Sequence, residues 1–308
     1  MVLRIFIFVA THGRYTLVAG LIAGFCLPGT AVVLKDFLPQ LVALLLFLTA
    51  FRIGHQKVVF SFQRASQVLI TVLTLQLILP LFALGVFSYF GVSSSIFAIA
   101  LVLILAAPSI TGAPNFSILL GAQPEPTFQA LILGTALLPV TVIPIFWIIP
   151  ELGGLAYVFS ASAYLLGTII FAALSGFLLR ALISPKIDND RTVALDGLMT
   201  LTLAFMVIGL MAALRPAIVS DPWSVIQWFV FALVVNLGLQ FIAFHVMKLL
   251  GYPDLAVPIG IVAGNRNFAL FLIALPIMQS EQLLIFLGCY QIPMYLTPII
   301  MRSVYRSS

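Results

Sequence analysis

The chain has 308 residues, of which 63% are hydrophobic and only 7% are charged. Soluble proteins average about 45–50% apolar and about 25% charged residues. A water-soluble fold cannot bury so much apolar surface, so the composition excludes soluble enzymes, nucleic-acid-binding domains and disordered chains. The net charge of +5 is therefore interpreted as a sign of membrane orientation, not of nucleic-acid binding. The sequence predicts an integral membrane protein surrounded by the lipid bilayer.

Ten apolar segments, separated by short polar or Pro- and Gly-rich stretches, are long enough for membrane-spanning helices. The five in the first half of the chain lie near 15–33, 37–54, 67–90, 95–121 and 127–149. The five in the second half lie near 153–179, 196–214, 222–248, 253–277 and 281–301. We therefore expect an all-α membrane protein with ten transmembrane helices.

If the chain crosses the membrane ten times, its basic residues are unevenly distributed between the two sides of the membrane. With both termini in the cytoplasm, the cytoplasmic side carries Arg4, Arg14, Arg52, Lys57, Arg64, Arg180, Lys186, Arg191, Lys248, Arg302 and Arg306. The other side carries only Lys35 and Arg215, and Arg266 falls within a span. Because Lys and Arg concentrate in cytoplasmic loops, this asymmetry favours cytoplasmic termini. Short loops and the lack of a recognisable presequence suit a bacterial cytoplasmic membrane.

The fourth and fifth spans have counterparts in the ninth and tenth. Asn115–Leu120 aligns with Asn267–Leu272 at an offset of 152 residues, and Leu133-Gly134, Pro139 and Pro144 recur as Leu287-Gly288, Pro293 and Pro298 at an offset of 154. Since each copy holds five spans, the second copy must cross the membrane in the opposite direction. The pattern predicts a five-plus-five inverted repeat, residues 1–151 and 152–308, which is typical of secondary transporters.

Two of the matched spans contain residues that interrupt a helix. In the fourth span Pro114 lacks an amide hydrogen and clashes one turn back. In the ninth span Ala263–Asn267 places polar residues at mid-membrane depth, where an unsatisfied backbone group costs several kcal/mol. The apolar runs after Asn115 and Asn267 predict that these residues cap two half-helices, whose positive ends suit an anion. The carbonyl ends of the preceding half-helices, near Thr111 and Ala263, suit a cation.

Arg266 is the only charged residue well inside a predicted span, where its burial costs at least about 2.5–3.5 kcal/mol. Three interpretations are open: a fixed charge that attracts an anionic substrate, a built-in substitute for a bound cation, and an arginine satisfied by helix carbonyls or by snorkelling. Neutral polar residues within the spans either bind a ligand or form hydrogen bonds between helices. The candidate substrate- and ion-binding residues are Gln76, Thr111, Pro114, Asn115, Thr135, Gln240, Asn265, Arg266, Asn267 and Gln291.

The broken-helix motifs Thr111-Gly112-Ala113-Pro114-Asn115 and Gly264-Asn265-Arg266-Asn267 make the chain resemble the bile acid:sodium symporter family. The resemblance covers essentially the whole chain, and the wider superfamily includes arsenite-efflux and organic-acid carriers. It implies a panel domain from the first, second, sixth and seventh spans, beside a core domain from the other six. It also implies that the two broken helices cross in the core and form the binding site.

Sodium ligands are implied by the same resemblance at Gln76, Asn115 and Thr135. The ninth span departs from the family pattern, because Val262 stands where a glutamate is expected and Arg266 where a glutamine is expected. In the fourth span Pro114 replaces a serine ligand. A missing carboxylate and an added guanidinium both disfavour the binding of Na⁺ at the site that the resemblance implies. These departures lead to the hypothesis that Arg266 permanently supplies the positive charge that sodium supplies elsewhere in the family.

The expected function is secondary transport of a small organic anion by alternating access. The resemblance implies sodium symport, and the departures favour a sodium-independent or proton-linked carrier of the same fold, as in arsenite-efflux or auxin-efflux proteins. A channel would need a continuous polar stripe along several helices. A membrane-embedded enzyme would need paired carboxylates, a metal cluster or a nucleophile with its base. Neither pattern occurs within the predicted spans.

Overall fold

The structure, a computed structural model, describes residues 2–54, 65–149, 155–183, 187–268, 271 and 277–306. Within these ranges the chain is helical and forms no β-strand, which confirms the predicted all-α fold. The boundary between the predicted repeats at 151/152 lies outside the described residues. So do Lys57, Arg64 and Lys186, and most of the ninth predicted span after Phe268.

The helices are numbered in chain order. They are α1 (Val2–Thr11), α2 (Gly13–Cys26), α3 (Pro28–Asp36), α4 (Leu38–Ile53), α5 (Ala65–Leu73), α6 (Leu79–Tyr89), α7 (Ile96–Ala106), α8 (Ala113–Leu119), α9 (Glu125–Thr141), α10 (Ile143–Ile148), α11 (Leu155–Ile183), α12 (Asn189–Leu210), α13 (Leu214–Ser220), α14 (Pro222–Leu249), α15 (Pro253–Gly264), α16 (Ile277–Ile300) and α17 (Arg302–Arg306). A π-helical turn, Thr74–Ile78, joins α5 to α6.

Six helical stretches of the described chain are long and apolar enough to cross a membrane. They are Ser66–Tyr89, Glu125–Ile148, Ala163–Ile183, Asn189–Ser220, Pro222–Leu249 and Gln282–Arg306. Two bent pairs, α1 with α2 at 87° and α3 with α4 at 68°, raise the number to eight if each pair is one span. The shorter apolar helices α7 and α15 end at the two predicted breaks. The protein is therefore a helical integral membrane protein, and its ten crossings stay a prediction.

The first predicted span, 15–33, is wrong as a single helix. α2 ends at Cys26, and Leu27 separates it from α3, which carries Pro28 in its first turn. Proline has no amide hydrogen to continue the bonding of α2, but it is well accommodated in the first turn of a new helix. The same device recurs before α4, where Phe37 precedes a first turn that contains Pro39.

Two groups of helices surround the predicted breaks. In the first, α12 packs against α1, α2, α3 and α4, and α4 packs against α11. Gly20 permits the close approach of α2, since a Cβ there would lie 2.9 Å from the carbonyl oxygen of Ala204. In the second, α14 packs against α15 and α16, and α9 packs against α5, α8 and α15. The groups meet where α9 contacts α11 and where α16 contacts α2.

Partly buried hydrogen bonds of two arginines tie the first group together at one end. Arg52 on α4 donates from Nε and Nη2 to the carboxylate of Asp196 on α12, over 2.9 and 3.3 Å. Arg180 on α11 donates from Nη1 to the carbonyl oxygen of Phe51, over 3.1 Å. A two-point guanidinium–carboxylate contact fixes orientation as well as distance. The three helices α4, α11 and α12 are therefore held in one arrangement at this end.

Candidate functional site

The two helix breaks cross each other inside the protein. The chain after α7 and the chain after α15 run antiparallel, with a bridge between Ser109 and Arg266. The backbone amide of Ile110 donates to the carbonyl oxygen of Asn265 over 3.0 Å, and that of Asn267 donates to Pro108 over 2.7 Å. Each break therefore supplies hydrogen-bond partners for the other. This contact lets irregular backbone exist within the apolar interior, where unpaired groups are costly.

Arg266 lies in this crossing with only 2% of its surface exposed. Its Nε donates to the carbonyl oxygen of Ala263 over 2.9 Å, and its Nη1 donates to that of Ala107 over 2.8 Å. Ala263 is in the last turn of α15 and Ala107 follows the last residue of α7, so the guanidinium joins the carbonyl ends of two helices. Those ends carry partial negative charge. The side chain thus occupies the kind of place that the sequence suggested for a bound cation.

One nitrogen of Arg266 remains without a protein partner. Nη2 is buried and makes no hydrogen bond in the structure. Buried polar atoms are almost always paired, so an orphaned one calls for a ligand or a water molecule. Two of the three nitrogens therefore hold the guanidinium in place, and the third is available to another group.

The predicted capping role of Asn115 is wrong. α8 begins at Ala113 with Gly112 as its N-cap residue and Pro114 in its first turn, so Asn115 lies within the helix. Proline is tolerated in a first turn because the amide hydrogen that it lacks has no partner there. Asn115 is 1% exposed, and neither its Oδ1 nor its Nδ2 has a hydrogen-bond partner. Most residues of the run after Asn267 lie outside the described ranges, so its capping role stays a prediction.

Gln76 lies in the π-helical turn between α5 and α6. Its Nε2 donates to the carbonyl oxygen of Gly134 on α9 over 2.8 Å. Single π-helical turns inside α-helices are frequent at functional sites, because they redirect a side chain and free backbone groups. Thr135, the residue after Gly134 on α9, is fully buried, and its hydroxyl has no hydrogen-bond partner. Gln76 is thus held by α9 at Gly134, and the residue that follows Gly134 carries an unpaired hydroxyl.

The residues present do not fit a sodium site well. Asn115 and Thr135 offer unpaired neutral oxygens, which can coordinate a hard cation. However, the buried residue Val262 offers no carboxylate at the crossing, and the charge there is the guanidinium of Arg266. Buried charges of like sign repel strongly in a low-dielectric interior. The positive charge of Arg266 therefore disfavours Na⁺ at the crossing.

Gln240 and Asn265 belong to a closed hydrogen-bond network in the second half of the chain. Nε2 of Gln240 donates to Oδ1 of Asn236 over 2.7 Å and to Oγ1 of Thr297 over 2.9 Å. Thr297 in turn donates to Oδ1 of Asn265 over 3.2 Å, and Nδ2 of Asn265 donates to Ile261 over 2.9 Å. Polar networks that satisfy their members stabilise one arrangement of a buried core. The structure therefore gives these two predicted ligands a structural role.

A cavity of about 310 Å³ lies between the crossing and the helices α4, α11 and α12. Four predicted site residues contribute to its lining, namely Thr111, Arg266, Asn267 and Gln291. The other walls are mainly apolar and include Val42, Leu165, Met206, Leu210, Met294 and Tyr295. Arg266 is the one charged side chain among the described lining residues. The cavity thus combines a single positive charge with an apolar body, as small-molecule sites often do.

Unpaired polar atoms concentrate around this cavity and crossing. Of the nine buried side-chain polar atoms that lack a partner in the described chain, six belong to Ser109, Asn115, Thr135, Arg266 and Gln291. The oxygen of Gln291 is unpaired on a side chain that lines the cavity. The predicted residues therefore divide between two environments. Gln240 and Asn265 are satisfied by the protein, whereas Asn115, Thr135, Arg266 and Gln291 retain unused hydrogen-bonding capacity.

Sequence reasoning missed several polar residues of this region. Tyr290 donates to the carbonyl oxygen of Gly264 over 2.6 Å, and Tyr305 donates to Oε1 of Gln240 over 3.0 Å. A usable signal was present, because Tyr290, Thr297 and Tyr305 follow at intervals of seven and eight residues and so share one helical face. Ser109 carried no comparable signal, since only the fold brings it opposite Arg266.

Comparison of the sequence with protein-family models and with curated proteins gives no match.

Proposed function

We propose that the protein is a secondary transporter that carries a small organic anion by alternating access. The observation that carries this proposal is the partnerless Nη2 of a buried arginine that lines a cavity beside two crossing helix breaks. Discontinuous helices with ligands at their breaks are a hallmark of secondary transporters. The proposal includes ten membrane crossings as a five-plus-five inverted repeat, cytoplasmic termini, and a bacterial cytoplasmic membrane.

Movement of two rigid groups would expose the cavity to each side in turn. The panel consists of α2–α4, α11 and α12, which are packed together and tied by the Arg52–Asp196 ion pair. The core consists of α5–α9 and α14–α16, in which the crossing is fixed by backbone hydrogen bonds. The cavity has lining residues from both groups. Rocking of the panel against the core therefore changes access to the cavity without breaking the crossing.

The lining favours a substrate with one negative charge and an apolar body. Arg266 can neutralise one carboxylate or sulfonate, and Asn267 and Gln291 can donate or accept further hydrogen bonds. The described lining has no second positive charge, and the burial of a second, uncompensated negative charge would cost several kcal/mol. We therefore expect monoanions to bind and matched dianions to be rejected.

The same geometry supports transport without sodium. Nε and Nη1 of Arg266 already bind the carbonyl ends of α7 and α15, where a coupling cation would otherwise find oxygen ligands. A covalently attached cation is present in every state of the transport cycle. Substrate binding therefore does not require prior binding of an ion.

The test uses thermal unfolding of the purified, detergent-solubilised chain. Benzoate, octanoate and cholate are the monoanionic probes, phthalate is the dianionic match for benzoate, and each is tested in choline chloride and in sodium chloride. We expect at least one monoanion to raise the melting temperature equally in both salts, because a ligand that binds only the folded state stabilises it. Stabilisation by sodium chloride alone, or by phthalate as strongly as by benzoate, would contradict the proposal.

Transport itself is tested by counterflow in sealed proteoliposomes. Vesicles loaded with the unlabelled stabilising monoanion should accumulate the labelled form transiently, since a carrier exchanges one molecule for another. Gln291→Leu removes a lining amide whose oxygen has no protein partner, so it should weaken exchange without unfolding the protein. Equal uptake with and without preloading would indicate a channel instead.

A further inference from the structure

A groove adjoins the cavity on a surface that faces the bilayer. It has a volume of about 530 Å³ and lies between the first two turns of α4 and the middle of α11. Its lining includes Tyr164 and Phe171, whose exposed fractions are 72 and 76%. Both residues belong to the stretch Ala163–Ile183, which is long and apolar enough to cross a membrane. In the membrane the groove is therefore in contact with lipid.

The groove and the cavity share one wall. Pro39 of α4 and Tyr164 and Thr168 of α11 line both spaces. The cavity with Arg266 lies on the inner side of this wall. On the outer side Gly167 borders open space, since an added Cβ there would meet no described atom within 4 Å. A ligand that extends between Pro39 and the two side chains of α11 therefore reaches from the buried guanidinium to the lipid.

The two spaces differ in polarity. Arg266 gives the cavity one positive charge, whereas the described residues that line the groove include no charged side chain. Thr168 already donates its hydroxyl to the carbonyl oxygen of Tyr164 over 3.0 Å. The small residues Ala163 and Gly167 leave room in the groove and carry no polar side chain. The cavity therefore suits an anionic head, and the groove suits a hydrocarbon chain.

We propose that the groove holds the alkyl chain of the transported anion while its carboxylate lies at Arg266. The substrate class is then a single-chain amphiphile with one negative charge, such as a medium-chain fatty acid. The inference rests on the proposed function, because it assigns the other end of the same ligand. The cavity of about 310 Å³ is near the lower limit of small-molecule sites, about 300–1,000 Å³, so a long chain needs the additional space of the groove.

The position of the groove also gives the substrate a route from the bilayer. Each methylene group favours an apolar environment over water by about fourfold, so a long-chain anion concentrates in the membrane. Through an opening to lipid, such an anion enters the cavity with its carboxylate first, and its chain stays in apolar surroundings throughout. The uptake of a short, water-soluble anion has no use for a groove on the lipid-facing side.

The test compares monoanions with and without a long chain on two matched variants. Gly167→Phe places a large side chain in the groove. Gly85→Phe is the control, because Gly85 is also an exposed helical glycine whose added Cβ would meet no described atom within 4 Å, and it does not line the groove. Thermal unfolding of each full-length variant is titrated with benzoate and with dodecanoate in the same neutral detergent, so that ligand partition into micelles is the same for both variants.

Dodecanoate should bind Gly167→Phe at least about tenfold more weakly than Gly85→Phe. The blocked chain must give up two or more buried methylene groups or the hydrogen bond of its carboxylate to Arg266. Benzoate fits the cavity without the groove and should bind both variants equally. Equal dodecanoate affinities would overturn the inference and leave the anion site intact, whereas failure of every monoanion to stabilise the wild type would overturn the proposed function itself.

Photo-crosslinking locates the chain directly in the wild type. Dodecanoate with a diazirine at its terminal carbon should label peptides of α4 or α11 that contain groove residues. Excess benzoate should remove this label, because it competes for Arg266 but carries no alkyl chain. Label at the groove that survives excess benzoate would mark ordinary lipid contact and overturn the inference, as would benzoate-sensitive label confined to other helices.

Discussion

Replacement of Arg266 by glutamine is the most direct test of the proposed anion site. The substitution removes the buried charge and the partnerless Nη2, while glutamine keeps a polar side chain of shorter reach. A hydrogen bond to a charged group contributes about 1.5–3 kcal/mol. Since about 1.4 kcal/mol corresponds to a tenfold change in affinity, loss of one such bond should weaken monoanion binding by about 10- to 150-fold.

The assay is ligand-induced stabilisation at a fixed ligand concentration. At 100 times the dissociation constant, a ligand stabilises the folded wild type by about 2.7 kcal/mol. With 30-fold weaker binding, the same concentration stabilises the variant by only about 0.9 kcal/mol. Arg266→Lys serves as the matched variant, because it retains the charge but cannot bind two carbonyls and an anion in a fixed geometry. The ligand-induced stabilisation of Arg266→Lys should lie between those of the wild type and Arg266→Gln.

Two results would refute the reasoning. If Arg266→Gln binds the monoanion within twofold of the wild type, the guanidinium serves only to join the ends of α7 and α15. If sodium stabilises the wild type specifically, the fixed charge has not replaced the ion. Stabilisation by sodium of Arg266→Gln alone would instead support replacement, because the carbonyl oxygens of Ala107 and Ala263 lose their donors in that variant.

Two further predictions concern the supports of the site. Arg52→Gln leaves the partly buried carboxylate of Asp196, which is 15% exposed, without its partner. It should lower the free energy of unfolding by about 1–3 kcal/mol in denaturant titration. Arg52→Leu combined with Asp196→Leu should recover most of the loss. Tyr290→Phe removes one of two donors to the carbonyl oxygen of Gly264 and should cost about 1 kcal/mol. Tyr295 lies on the same helix but makes no described hydrogen bond, so Tyr295→Phe should lower the free energy of unfolding by less. Equal losses for the two variants would contradict the role given to Tyr290.

Much of the architecture was accessible from the sequence because it depends on local rules. Apolar run length predicted the long helices, and Pro114 with the polar stretch at 263–267 predicted that two helices are interrupted. The exact start of α8 was missed, because Pro114 can either break a helix or occupy its first turn. Sequence alone offers no way to choose between these positions, because Gly112, two residues before the proline, fits both a break and an N-cap.

Side-chain partners could not be predicted because they depend on which breaks meet. Gln240 and Gln291 look alike as isolated polar residues within apolar runs. In the fold, Gln240 donates to two neighbours, while the oxygen of Gln291 stays unpaired beside the cavity. Likewise, the position of Arg266 between two helix ends depends on the antiparallel contact with Ser109, which joins residues 157 positions apart. Only the tertiary structure separates a structural amide from one that is free to bind a ligand.

The charge moved in each transport cycle separates the proposed mechanism from coupled alternatives. Arg266 stays with the protein, so uptake of one monoanion without a coupling ion carries one negative charge inward. A membrane potential of 100 mV acts on that charge with about 2.3 kcal/mol, which corresponds to about a 50-fold change in the accumulation ratio.

The potential can be set in proteoliposomes with potassium gradients and valinomycin, with the stabilising monoanion as the labelled substrate. An inside-positive potential should raise accumulation of the monoanion, and an inside-negative potential should lower it. Symport with one proton or one sodium ion would be electroneutral and insensitive to the potential. Symport with two sodium ions would move net positive charge and reverse the sign of the effect. Among the carrier mechanisms compared, the uncoupled carrier with its cation built into the chain is the one that accumulates substrate in response to an inside-positive potential, and counterflow distinguishes it from a channel.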